Sequence, residues 1–86
     1  MIFRYSKTFL KNYKKLPKTK QDKVNKQLIY LQENFHHPSL RTKKTQGREN
    51  TFEFRVNSHY RMTAEKQDEE LVFKTVGPHD ERLGKK

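Results

Sequence analysis

Val24, Leu28, Leu31 and Phe35 recur at i, i+4, i+7 and i+11, which places all four on one face of an α-helix. This is the strongest periodic signal in the chain, and such a stripe requires a flat apolar surface on which to be buried. Thr19 stands where an N-cap would open the helix, and His36-His37-Pro38 stops it. Ahead of it, a segment capped by Ser6 or Thr8 and broken at Pro17 puts Phe9, Tyr13 and Leu16 on a second stripe. The two segments predict a helical hairpin over about residues 7–35.

The flat partner comes from short alternating segments. Phe52-Glu53-Phe54-Arg55-Val56 and Tyr60-Arg61-Met62-Thr63-Ala64-Glu65 alternate strictly, while Leu71-Val72-Phe73-Lys74-Thr75-Val76 is apolar on more than one parity. Asn57-Ser58-His59 and residues 66–70 join these three strands, and Ile2 to Tyr5 forms a short N-terminal strand. Ser39 to Asn50 is a polar loop, and the tail from Gly77 begins with a turn and has room for one helical turn. The order β-α-α-β-β-β predicts an α+β fold, a helical hairpin on a small, mainly antiparallel sheet, in one domain spanning residues 1–86. Patterning has to carry this reading, because only 19 of 86 residues are Leu, Ile, Val or Phe and the net charge is +10, a balance close to that of disordered chains.

With no cysteine there is no disulfide framework, thiolate metal site or thiol nucleophile. No apolar run approaches the roughly 20 residues of a membrane span, and the N-terminus lacks a signal peptide's apolar stretch. A soluble, cytoplasmic protein with no membrane partner is the expectation.

The charge is unevenly placed. Residues 1–48 hold 13 lysines and arginines against Asp22 and Glu33, whereas residues 49–86 hold 7 against 8 acids. Lys11, Lys14, Lys15, Lys18, Lys20, Lys23 and Lys26 lack interleaved acids to pair with along the helix. One cationic face of this kind serves a polyanion or an acidic partner segment, the plain alternative being a solvated lysine-rich surface. Arg41, Lys43, Lys44 and Arg48, around Gly47, make the polar loop a candidate RNA-binding element.

If the apolar members of the first two alternating strands face the helices, residue 54 pairs with 62 and, on the opposite face, Arg55 stands beside Arg61. Like charges directly opposite one another are destabilising, so two guanidinium forks on an open face favour an anion between them, and phosphate fits. Neutralisation by Glu53 and Glu65 as surface ion pairs is the competing reading. His79, just past the last strand, adds a group able to donate a proton near neutral pH, and Glu49, Glu53, Lys43 and Lys44 lie close in sequence to the first alternating strand. RNA cleavage without a metal or cofactor needs a base for the 2′-hydroxyl, cations for the pentacovalent phosphate and an acid for the 5′-oxygen, and each role has a candidate here.

Other chemistries fit less well. His36 and His37 are adjacent and point apart, unlike a zinc pair. Three glycines in all leave no phosphate loop, and no nucleophile elbow is present. Tyr5, Tyr13, Tyr30 and Tyr60 serve packing before base stacking.

Taken in order, the basic helical hairpin, Phe52-Glu53-Phe54-Arg55-Val56, Tyr60-Arg61-Met62 and Val76-Gly77-Pro78-His79-Asp80-Glu81 resemble the RelE/ParE toxin superfamily over nearly the whole chain. The resemblance implies a toxin of a type II toxin–antitoxin module, held inactive by a cognate antitoxin that wraps the helices and sheet. For the RelE-like branch it implies ribosome-dependent cleavage of messenger RNA by 2′-hydroxyl attack, without metal. In those terms Arg61 matches a transition-state arginine, Arg55 an arginine of the preceding strand, and His79 a C-terminal arginine or histidine. Lys43, Lys44 and Arg48 would lie against RNA backbone. Where some ribonuclease members carry lysines and a terminal tyrosine, this chain has Phe52, Glu53 and Phe54 and no tyrosine after Tyr60, so His79 with Glu49 or Glu53 is the nearer pattern. The ParE-like branch inhibits DNA gyrase without cutting RNA, and a basic RNA-binding domain without catalysis is a third alternative.

Overall fold

Ser6 opens the first helix, its hydroxyl accepting the Phe9 N–H at 3.0 Å while its backbone stays extended. The computed structural model describes residues 1–78, in which β1 (Ile2–Tyr5) leads into α1 (Lys7–Lys14) and α2 (Lys18–Glu33). A 3₁₀ turn (Pro38–Leu40) and β2 (Lys43–Lys44) follow, then β3 (Thr51–Arg55), β4 (Tyr60–Gln67) and β5 (Glu70–Pro78). Among these residues no helix is long and apolar enough to cross a membrane.

The helix ends differ from expectation for identifiable reasons. Pro17, not Thr19, precedes the first turn of α2: at φ −60° and ψ 156° its carbonyl accepts from Lys20 and Gln21, and Thr19 lies inside the helix. At the other end Asn34 turns extended, so Phe35 leaves the helix. Its ring still meets Phe52 and Phe54 edge-on, with centroids 5.0 and 5.6 Å away, and so completes the stripe from outside.

The five strands form one sheet in the order β1-β5-β4-β3-β2, with β1 parallel to β5 and the other pairs antiparallel. The expected register holds, Phe54 opposite Met62 and Arg55 opposite Arg61. β2 lies inside the segment expected to be a loop. Two residues are too few to show alternation, yet Lys43 and Lys44 pair with Glu53 and Phe52 and give β3 an outer neighbour.

The double parity of the last strand has its cause in a bulge. Thr63 pairs with Thr75 but Ala64 pairs with Phe73, so Lys74 is an extra residue and the facing side changes across it. Leu71 and Phe73 before the bulge and Val76 after it are therefore all buried. With Phe54, Met62 and Ala64 they form the sheet side of the core, against Phe9, Leu16, Val24 and Leu31 of the helical layer.

Candidate functional site

The sheet face turned away from the helices carries the polar residues of each strand, and the register arranges them in rows. One row runs Lys43, Glu53, Thr63, Thr75 across four strands, and the next runs Arg55, Arg61, Gly77. The two arginines are thus cross-strand neighbours, as parity predicts. A Cβ added at Gly77 would meet nothing within 4 Å, so the third place in the arginine row is open.

Arg61 is held by the β3–β4 turn. Its Nη1 donates to the carbonyls of Asn57 at 2.7 Å and Tyr60 at 3.1 Å. A guanidinium has five N–H donors, so Nε and Nη2 keep three for a ligand. The turn itself is tied by Asn57 Oδ1, which accepts from the His59 and Tyr60 amides at 2.8 Å each.

Beside the arginine row lies a polar cleft of about 620 Å³, lined by Thr45, Arg48, Glu49, Thr51, Thr63, Glu65, Lys74 and Thr75. Lys74 pairs with Glu65 at 3.5 Å, and the Thr63 and Thr75 hydroxyls are 2.7 Å apart. Arg48 and Glu49 thus share one concavity, supplying a cation and a carboxylate to the same space. Among the described residues, no three His, Asp or Glu side chains converge on a metal position.

No family model and no curated protein matches the sequence. Solved structures do match. The YoeB dimer from Staphylococcus aureus superposes with a TM-score of 0.77 at 16% identity, over 93% of this chain and 98% of that one. RelE in the RelB–RelE antitoxin–toxin complex from Methanococcus jannaschii gives 0.77 at 20% identity, over 95% and 96%. The Escherichia coli DinJ–YafQ toxin–antitoxin complex gives 0.70 at 23% identity, over 90% of each chain. The chain has the fold of the RelE and YoeB toxins.

Within this RelE-like fold the sequence-expected residues fall in several places. Arg55 and Arg61 form the cross-strand pair, and Arg48 and Glu49 line the cleft beside it. Lys43 and Glu53 are register partners on the same outer face, whereas Lys44 pairs with Phe52 on the opposite one. Arg41 ends the 3₁₀ turn with φ 47° and does not line the cleft. His79 lies outside the described residues.

Sequence reasoning missed Lys74, Thr63 and Thr75 as cleft residues, because their convergence depends on the bulge. It also missed Gln27. That side chain is fully buried, and its amide donates to the carbonyls of Arg55 at 2.8 Å and Ser39 at 3.2 Å and accepts from the Ser39 hydroxyl at 3.2 Å. The signal was available: Gln27 sits three residues after Val24 and four before Leu31, a polar residue within an apolar stripe. We expect Gln27→Leu to lower the unfolding free energy by about 2–3 kcal/mol in urea titration, since two buried carbonyls lose their donor. An unchanged midpoint would mean that water takes over the amide's bonds.

Proposed function

We propose that the chain is the toxin of a type II toxin–antitoxin module and cuts messenger RNA on the ribosome without a metal. The observation that carries this reading is the Arg55–Arg61 pair on an open sheet face, beside a cleft holding Arg48, Glu49 and Lys74. In the proposed reaction a carboxylate, Glu49 or Glu53, takes the proton of a ribose 2′-hydroxyl as that oxygen bonds to the adjacent phosphorus. The guanidinium groups take up the charge that grows on the phosphoryl oxygens, a role for which their fork geometry suits them. The bond from phosphorus to the 5′-oxygen then breaks, His79 protonates the departing oxygen, and a 2′,3′-cyclic phosphate remains.

Two features favour an antitoxin partner as well. Lys18 does find a helix acid, Asp22 at 2.7 Å, but the other helix lysines make no ion pair among the described residues and are complementary to an acidic segment. Between them runs an apolar groove of about 220 Å³ lined by Tyr5, Phe9, Leu10, Tyr13, Asn25 and Leu28, with Leu10 46% exposed. The solved RelB–RelE and DinJ–YafQ complexes show chains of this fold bound to antitoxins.

Primer extension on a defined message in a cell-free translation reaction tests the reading. The free protein should produce cuts that depend on ribosomes. A folded, antitoxin-free protein that leaves the message intact would overturn it, and a DNA supercoiling assay would then read the gyrase alternative.

A further inference from the structure

We propose that Lys23, Arg41 and Arg55 form an anchoring site for RNA backbone phosphate, separate from the cleft on the outer sheet face and resting on the RNA reading above. They line a second cavity, of about 580 Å³, between α2, the 3₁₀ turn and the β3–β4 turn. Among the described residues no carboxylate lines it. The ion pairs between described residues engage Arg4, Lys18 and Lys74, none of which belongs to this cavity. Like charges lining one cavity repel, and a bound anion relieves that repulsion.

The three groups come from different elements, yet their bases are tied together. Gln27 on α2 bonds to the carbonyls of both Arg55 and Ser39, joining the helix to two walls of the cavity at once. Arg41 leaves the 3₁₀ turn in a left-handed conformation, its N–H reaching the Pro38 carbonyl at 3.3 Å. The turn thus fixes the backbone from which the Arg41 side chain departs.

The remaining lining favours nucleic acid over an acidic peptide. Ser39, Asn57 and Ser58 place small hydroxyl and amide groups around the cations, which suits phosphate oxygens. Arg55 belongs to the arginine row and to this cavity alike, so a strand lying over the row reaches the anchor at the edge of the sheet.

The test uses a short 2′-O-methyl RNA, which cannot be cut, in fluorescence anisotropy across a salt series. Lys23→Gln/Arg41→Gln should weaken binding about tenfold and make the slope of log K against log salt shallower by about 1.4, for two lost single-strand phosphate contacts. Arg4→Gln/Lys7→Gln makes the same change in charge elsewhere and should keep the parent slope. Equal losses in both double variants, or unchanged binding in the first, overturn the anchor. So does binding of polyglutamate with the same dependence on Lys23 and Arg41 and no binding of the RNA. Ribosome-dependent cutting by the unsubstituted protein is scored in parallel. Cuts without the Lys23/Arg41 dependence overturn the anchor alone, and RNA binding with that dependence but no cuts overturns the nuclease alone.

Discussion

We expect Arg61→Ala to lower the rate of the proposed ribosome-dependent cleavage by about 10²–10³-fold while the protein still folds. Removing one positioned donor to a developing oxyanion costs an enzyme about that much. Structurally the residue contributes two bonds from Nη1 to turn carbonyls, and hydrogen bonds of this kind contribute about 1 kcal/mol each. Primer extension measures the first quantity and urea unfolding the second. Arg61→Lys should recover only part of the rate, because an ammonium keeps the charge but not the fork. Cutting at the parent rate by Arg61→Ala would remove the arginine from the reaction.

Phe73→Ala is expected to cause a large loss of stability. Phe73 is fully buried and its ring meets those of Phe3, Tyr5 and Phe9 at 5.1, 5.2 and 5.4 Å, with Phe54 at 6.5 Å. It therefore links the N-terminal strand, the first helix and the middle of the sheet. Truncating such a ring costs about 3–5 kcal/mol, against a total of about 5–15 kcal/mol for an ordinary domain. Thermal unfolding followed by circular dichroism should show a fall in Tm of roughly 15 °C or more. A fall of only a few degrees would mean that the aromatic neighbours close over the cavity.

Much of the architecture could be read from side-chain parity. Phe52, Phe54 and Val56, set against Tyr60, Met62 and Ala64, allow only registers that keep both sets on one face, and that constraint alone brings Arg55 beside Arg61. What escaped the sequence reading was set by backbone detail. The bulge at Lys74 leaves a trace, apolar residues on both parities, but not its exact place. The β2 strand leaves none, since Lys43 and Lys44 are joined to Glu53 and Phe52 through backbone pairing that carries no side-chain pattern. The candidate site divides in the same way. The arginine pair follows from parity, whereas the cleft follows from how the bulge and the segment before β3 bring Lys74 and Arg48 into one space. The separation of Arg41 from Arg48 follows from the 3₁₀ turn, which the polar composition of residues 39–50 conceals.

The parallel pairing of the first strand with the last ties the two ends of the described chain together in time as well as in space. Ile2 finds its partner at Glu70 and Tyr5 at Phe73, so β1 is synthesised well before the strand it pairs with. Contacts between residues so far apart in sequence form slowly, because loop closure must precede the gain from pairing. Until β5 is released from the ribosome, Phe3 and Tyr5 have no Phe73 to pack on and β4 has no inner neighbour. A ribosome making this chain therefore carries an unfinished sheet until β5 emerges, and a message truncated ahead of β5 yields a product that cannot complete its core.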